Sequence, residues 1–395
     1  MSHTAQAGRA TPSTETALPL LTEPWRPTPA RDRRRSHTNG CGAKRVEYPP
    51  ADIPKAPPTG IARLAASAPK ELERHQVEYF RLAVRSVLNP VNSRRVGFKW
   101  SINPYRGCEF GCHYCYARYT HEYMELDPRQ FENKIYAKDE AARLLRRDLE
   151  QAGEKVLREH IAIGAATDPY QPAERSFGVT RAVLETLREF AATLPGGGGL
   201  SLSITTKSNL VLKDIDLLRA LARNNRLHVN LSVTTLNPRL ARVLEPRAPR
   251  PDLRLDTVRR LNYGGISSGV FVAPILPGLT DDPSDLEALV VAAAEARASY
   301  LCANVVFLMP SSQKKFFPLL EEKFPRLRKQ YHKWFRLNGY APRPYRTRIS
   351  TLMRELRSKY NLPERWPDDD VAPNYAALAA AAAAARPQLA LPFAS

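Results

Sequence analysis

Three of the five cysteines in the chain fall within eight residues, Cys108-Glu-Phe-Gly-Cys112-His-Tyr-Cys115, a C-x3-C-x2-C spacing. The other two, Cys41 and Cys302, are far away in sequence, and an odd total speaks against a disulfide framework and for metal or redox chemistry. Three thiolates on one short loop suit a four-iron cluster: each binds one iron, and the fourth iron is left without a protein ligand, open to a chelating cofactor. The alternatives are three unrelated thiols, or a zinc site completed by His113 or His121. Zinc modules usually pair ligands as C-x2-C with a second pair further on, which this stretch lacks.

Such a loop has to be held by a scaffold, and from Gly97 onward the sequence supplies one. Short β-rich runs alternate with helical ones. The strands are read at Phe98–Ile102, His160–Ala166, Leu200–Thr206, His228–Thr235, Gly269–Pro274 and Cys302–Met309. Between them, Ala141, Leu144, Leu145 and Leu149 share one helical face, as do Val183, Leu184, Leu187 and Phe190, and further helices are read at 213–224, 252–263 and 283–299. Strands alternating with helices of this length argue for parallel βαβ units. Six of them fit an α/β fold, an open, partial (β/α)6 barrel of TIM type, in which chemistry gathers at the C-terminal strand ends. The cysteine loop follows the first strand, in keeping with that rule.

Asn103-Pro104-Tyr105-Arg106-Gly107-Cys108 through Cys115-Tyr116-Ala117-Arg118 resembles the cluster loop of radical S-adenosylmethionine enzymes, including the aromatic Tyr114 before the third cysteine. Over about residues 86–360 the chain is similar to the branch that contains spore photoproduct lyase and its DNA-repair-like relatives. The resemblance implies a 4Fe-4S cluster on Cys108, Cys112 and Cys115, S-adenosyl-L-methionine on the open iron, and a low-potential electron donor such as flavodoxin or ferredoxin. It also implies a 5′-deoxyadenosyl radical that takes hydrogen from a substrate. By the same resemblance Tyr114 belongs to the cofactor site, Thr167 and Asp168 meet the methionine amino group, Lys207 its carboxylate, and Ser232 adds a hydroxyl, with Asn230 as the alternative. Each of these also has a plain reading, as a strand-end residue capping its own loop.

Glu245 and Arg254 are expected to form a structural ion pair rather than substrate contacts. One position departs from the pattern: where spore photoproduct lyases carry a hydrogen-returning cysteine before the residue matching Thr167, this chain has Ala166. Cys302 starts the sixth strand and is expected in the core. Tyr105, Tyr114 and Tyr116 are the candidate members of a donor relay, or simply pack. No catalytic residue is assigned, and the reaction on a thymine dimer does not carry over with the motif.

The 395 residues include 59 Lys or Arg against 40 Asp or Glu, a net charge of +19. With 43% hydrophobic residues there is material for a sizeable core. Residues 1–85 are rich in Pro and Arg, hold the basic run Arg31-Asp32-Arg33-Arg34-Arg35, and read as a mostly disordered leader before the 86–310 barrel. Residues 311–366 read as a basic, aromatic helical extension: between 314 and 366 there are 15 Lys or Arg and four Glu, 15 − 4 = +11. Cations neutralise phosphates and aromatics stack on bases, so a nucleic acid, DNA in particular, is the expected partner; the alternative is a helical cap with its aromatics in the core.

Residues 367–395 form an Ala-rich tail ending in Gln388-Leu389-Ala390-Leu391-Pro392-Phe393, similar to the peptides by which bacterial repair proteins hold the sliding clamp. No apolar run approaches the ~18 residues of a membrane helix, and the start Met1-Ser2-His3-Thr4 is not a signal peptide, so a cytoplasmic location is expected. Together these readings favour a radical enzyme acting on a damaged base. The alternatives are radical chemistry on a peptide or small molecule, and a non-catalytic, zinc-holding nucleic-acid-binding protein.

Overall fold

The computed structural model describes residues 57–93, 96–194 and 197–365. The Arg31–Arg35 run, Cys41 and the clamp-like peptide with Gln388, Leu389, Leu391 and Phe393 lie outside the described residues. Eleven strands are described: β1 (Lys70–Arg74), β2 (Val77–Leu82), β3 (Leu88–Pro90), β4 (Trp100–Ile102), β5 (Tyr105–Arg106), β6 (Lys134–Lys138), β7 (His160–Ile163), β8 (Ser201–Thr206), β9 (Arg226–Ser232), β10 (Ser267–Ile275) and β11 (Leu301–Val305).

The main sheet has the order β11-β10-β9-β8-β7-β4-β3. Its six strands from β4 to β11 are mutually parallel, with β3 antiparallel on the outer edge. This is the open six-stranded α/β barrel expected from the alternation. Helices Ala141–Ala152, Val179–Thr193, Ile215–Ala222, Pro251–Tyr263 and Pro283–Glu295 connect the strands. Val183, Leu184 and Leu187 are completely buried and Phe190 nearly so; each such side chain contributes about 1.5–3 kcal/mol of burial.

Residues 57–85 correct the expectation of a disordered leader. Gly60–Ala66 is helical, and β1 and β2 join β5 and β6 in a second sheet of order β1-β2-β6-β5. The strand signal was there: Val77 and Tyr79 alternate onto the cysteine-loop side and Phe80 and Leu82 onto the other, where Leu82 packs with Ala65, Met124 and Tyr136. The partner strand β6 lies some fifty residues downstream, so neither face is recognisable as core until the chain has folded back. β1 is an exposed edge studded with charge, its Lys70 pairing with Glu73 and Glu78, which guards against further strand pairing.

The barrel interior has a polar floor. His160, Ser201, Ser203 and His228 come from the starts of neighbouring strands, alternating with Ile161, Leu202 and Val229 that face the helices. His160 sits between the Ser201 and Ser203 hydroxyls at 2.8 and 2.7 Å and stacks on His228 at 5.4 Å between ring centres. Burial lowers both imidazoles, His160 to about 4 and His228 to about 3. Both are therefore neutral when folded, whereas the unfolded chain takes up their protons below about pH 6.5. Stability is expected to decline as pH falls from about 6.5 toward 4 for this reason, and His160→Gln should flatten that limb of urea-unfolding free energy against pH.

The extension forms three helices, Pro310–Lys323, Arg328–Phe335 and Arg343–Lys359. Phe316, Tyr331, Phe335 and Tyr345 are buried in the same core as the barrel. Tyr331 donates to the Pro277 carbonyl at 2.9 Å and Tyr345 to Asp281 at 2.7 Å. These four aromatics are structural and have no face left for a base, while Arg343, Arg348, Arg354 and Lys359 stay exposed. Cys302, the second residue of β11, is only half-buried rather than core, with Asn304 against its sulfur. Among the described residues no helix is long and apolar enough to cross a membrane.

Candidate metal and cofactor centre

The cysteine loop leaves β5 through Gly107, whose φ of +84° only glycine adopts readily; a Cβ there would lie 2.6 Å from the Lys134 carbonyl oxygen and 2.9 Å from that of Phe131. The loop can therefore lie flat on β6 and the turn before it. The Cys108 amide donates to Phe131 O at 3.0 Å, and Gly111 N and Cys115 N close turns onto Cys108 O and Cys112 O. Arg118, wholly buried, fixes the far end: its guanidinium donates to Cys112 O at 2.9 Å, Pro128 O at 3.0 Å and the Glu132 carboxylate at 2.6 Å. Neither Arg118 nor Glu132 was picked out as a site residue from the sequence, although an arginine directly after the cysteine loop was a visible cue.

Cys108 and Cys112 are buried, Cys115 half-buried, and all three are free thiols. Burial raises all three; Cys112 is pushed up to about 12, with the Glu245 carboxylate adding to the burial. Without metal, burial keeps such thiols protonated; bound iron would supply the positive charge that makes them thiolates. Among the described residues no group of three or more His, Cys, Asp and Glu is arranged to hold a single metal ion. His121 is completely buried against Phe131, its Nε2 at 3.1 Å from Lys134 O. Three thiols that each meet a different iron do not have to converge on one point. The donor set fits a cluster.

Tyr114, Lys207 and the pair Glu245–Arg254 come together beneath this loop. Glu245 and Arg254 are each 1% exposed and 2.5 Å apart, which is the ion pair expected from sequence. Tyr114 and Thr234 both donate to the other Glu245 oxygen, and Lys207 Nζ lies 3.2 Å from it. Burial alone would raise the Glu245 carboxyl, but Arg254 and Lys207 outweigh it and hold it well below the usual range. Lys207 also stands 5.9 Å from the centre of the Tyr114 ring, so its charge is already shared with Glu245.

Thr167 and Asp168 occupy the loop after β7. Thr167 Oγ1 donates to Gly107 O at 2.6 Å, tying this loop to the cysteine loop. Asp168 accepts from Thr206 Oγ1 at 2.6 Å, Lys207 N at 2.8 Å and Tyr170 N at 2.9 Å. Both carboxylate oxygens are therefore engaged in positioning the loops after β7 and β8. Gln171, which the sequence did not single out, links Glu109 N, Gly107 O and Thr167. Ser232 ends β9 with its carbonyl held by Arg254 at 3.0 Å, while its hydroxyl makes no hydrogen bond to the described residues. Asn230 is committed to Thr205 and Tyr300. Of the two, Ser232 keeps the freer donor and acceptor.

Ala166 N donates to Asn103 at 2.7 Å, and the Tyr116 hydroxyl donates to the carbonyl of Ala165 next to it. Tyr105 and Tyr114 point elsewhere, Tyr105 to Glu174 and Tyr114 to Glu245. The C-terminal extension reaches the centre too: Ser312 Oγ donates to the Cys115 carbonyl at 2.9 Å.

A family model described as the Radical SAM superfamily matches residues 102–290. An uncharacterized protein of Mycobacterium tuberculosis is 31% identical over 288 residues, covering 72% of this chain and 82% of that protein. An uncharacterized protein of Methanocaldococcus jannaschii is 28% identical over 206 residues, 52% of this chain and 71% of that protein. Among solved structures, spore photoproduct lyase complexed with dinucleoside spore photoproduct superposes with a TM-score of 0.53 at 16% identity, covering 78% of this chain and 84% of that one. A mutant of that lyase with bound AdoMet and dinucleoside spore photoproduct gives 0.52 at 17% identity, covering 71% and 79%. At these identities the likeness is one of fold.

Proposed function

The chain belongs to the radical S-adenosylmethionine superfamily and is an enzyme of that class, and we propose that its substrate is a damaged base in DNA. In this reading Cys108, Cys112 and Cys115 hold a 4Fe-4S cluster. Tyr114, Thr167, Asp168, Lys207 and Ser232 form the wall on which S-adenosylmethionine lies. When bound, the pair supplies reductive carbon–sulfur cleavage and a carbon radical able to take hydrogen from an unactivated position.

The chain's own residues do the rest. Arg118 and Gly107 fix the loop, and Thr167 and Gln171 lock it to the neighbouring strand end. Ser232 offers its hydroxyl to the cofactor, and Lys207, anchored by Glu245, presents cationic hydrogens near the cysteines. Asp168 serves by aligning the backbone at Lys207, so its part is in positioning. With Ala166 in place of a thiol, hydrogen return has to come from another group or from the cofactor.

The observation that carries the DNA reading is the join between the basic extension and the centre. Ser312, at the start of the extension, touches the backbone of Cys115, and the helices behind it expose a run of cations. Phosphates drawn to those cations are delivered beside the cysteine loop. The likeness of fold to spore photoproduct lyase complexed with dinucleoside spore photoproduct supports the reading of the substrate class.

Reductive cleavage of S-adenosylmethionine under anaerobic conditions, with lesion-containing and intact oligonucleotides side by side, tests it. More 5′-deoxyadenosine with one lesion class than with intact DNA supports the reading. Turnover indifferent to any DNA, but stimulated by a peptide or small molecule, overturns the substrate and leaves the enzyme class standing.

A further inference from the structure

The extension carries one large apolar side chain held out in water. Leu337 is 88% exposed, well beyond Tyr263 at 65% and Tyr123 at 63%, the next among the described residues. It is the tip of a tight turn between the helices Arg328–Phe335 and Arg343–Lys359, and the base of that turn is fixed from several sides. Gly339 N donates to Phe335 O at 3.1 Å, and Leu308 N donates to Gly339 O at 2.9 Å. Gln313 Nε2 spans Leu308 O and Phe335 O at 2.9 and 3.0 Å. Asn338 accepts from Tyr340 N at 3.0 Å, and the Tyr340 ring stacks on Phe307 at 4.4 Å. Gly339, at φ +73°, permits the close approach, since a Cβ would fall 2.6 Å from Leu308 O.

The mount is therefore stiff while the tip is bare. It also stands in a particular place. Phe307 and Leu308 follow the C-terminal end of β11, the catalytic end of a parallel barrel, and Ser312 just beyond them contacts Cys115. Lys333, Arg336 and Arg343, near Leu337 in sequence, are all exposed.

We propose that Leu337 is a wedge that enters the base stack of duplex DNA at the barrel mouth, with Lys333, Arg336 and Arg343 on the adjoining phosphates. The proposal rests on the nucleic-acid reading above and adds a means of reaching the base. An enzyme that acts on a base has to take it out of the stack, and an apolar side chain inserted at a base step opens it at a cost repaid by backbone contacts. A turn already fastened at its base loses little backbone freedom on insertion. An exposed leucine with exposed cations close to it in sequence suits a duplex better than an apolar protein groove, which would leave those cations without partners.

The test uses the full chain and duplexes carrying 2-aminopurine as a stacking probe, at ~50 mM salt where phosphate contacts are strong. Wild type is expected to raise the probe's fluorescence on binding. Leu337→Ala and Leu337→Gln, both at an exposed position that leaves the fold intact, should lose most of that rise and bind duplex about tenfold more weakly, with binding to single strands unchanged. Variants that unstack the probe as wild type does, or wild-type binding with no change in fluorescence, overturn the wedge and leave the DNA reading in place. Absence of salt-dependent DNA binding overturns both.

Discussion

Alanine at any one of Cys108, Cys112 or Cys115 is expected to yield a protein that is colourless after anaerobic iron–sulfide reconstitution, against a brown wild type with about four irons per chain. Iron content should drop below about one per chain, and reductive cleavage of S-adenosylmethionine should fall to background. With three protein ligands there is none to spare. Losing one leaves two thiolates for four irons, and burial that raises the remaining thiols opposes their ionisation without metal.

The loop should survive the change. Its shape comes from Gly107, from the backbone turns and from Arg118 bound to Pro128 O, Cys112 O and Glu132, none of which uses a sulfur. Unaltered circular dichroism alongside lost iron therefore separates a missing ligand from a missing fold. Cys302→Ala is the control and should keep both colour and turnover. A single cysteine variant that retained full iron and full cleavage would remove the cluster assignment.

The second large effect is on stability. Glu245→Ala is expected to destabilise the fold by about 3–5 kcal/mol, because it strands a buried arginine. Arg254 is 1% exposed and loses its 2.5 Å carboxylate partner, while Lys207 loses its 3.2 Å contact. Tyr114 and Thr234 lose their acceptor at the same time. The joint change Glu245→Leu with Arg254→Met should cost much less, since it removes both charges together. Urea unfolding at pH 7 measures the difference. Equal losses for the single and double variants would show that the pair matters for packing rather than charge.

The sign with pH follows from the depressed Glu245 carboxyl. The contribution is present above the ordinary Glu value near 4.3 and disappears only as pH falls through the lower folded value. Mild acid acts first on the His160 and His228 floor, whose loss begins near pH 6.5, and on this pair last.

The two charge systems differ in how far the chain itself announced them. Glu245 and Arg254 stand nine residues apart in motif-like segments, and a structural pair was the expected outcome. Asp168 with Thr206 and Lys207 joins segments whose adjacency exists only once β7 and β8 lie side by side, and Arg118 meets Glu132 only once the chain between them has turned back on itself. The same holds for His160 between Ser201 and Ser203. Period-2 alternation places polar residues on one face of each strand, yet alternation by itself does not say that two such faces close into one floor. The extension's aromatics show the limit most plainly: as a composition they suited base stacking, and the packing of Phe316, Tyr331, Phe335 and Tyr345 into the core removes that use while leaving the cations outside.

What the sequence determined alone was local. The spacing of Cys108, Cys112 and Cys115, the six alternating strand and helix units and the excess of cations between 314 and 366 all depend on neighbours a few residues apart. Periodicity and ligand spacing are complete at that range. What only the tertiary structure decided was non-local. It turned residues 60–82 from an apparent leader into a helix and two strands, because their partner β6 is remote. It engaged Asp168 with backbone and hydroxyl donors, because the loops after β7 and β8 meet only in the barrel. It also set Leu337 out in water on a turn fastened to Leu308, a position that depends on contacts between the extension and the last barrel strand.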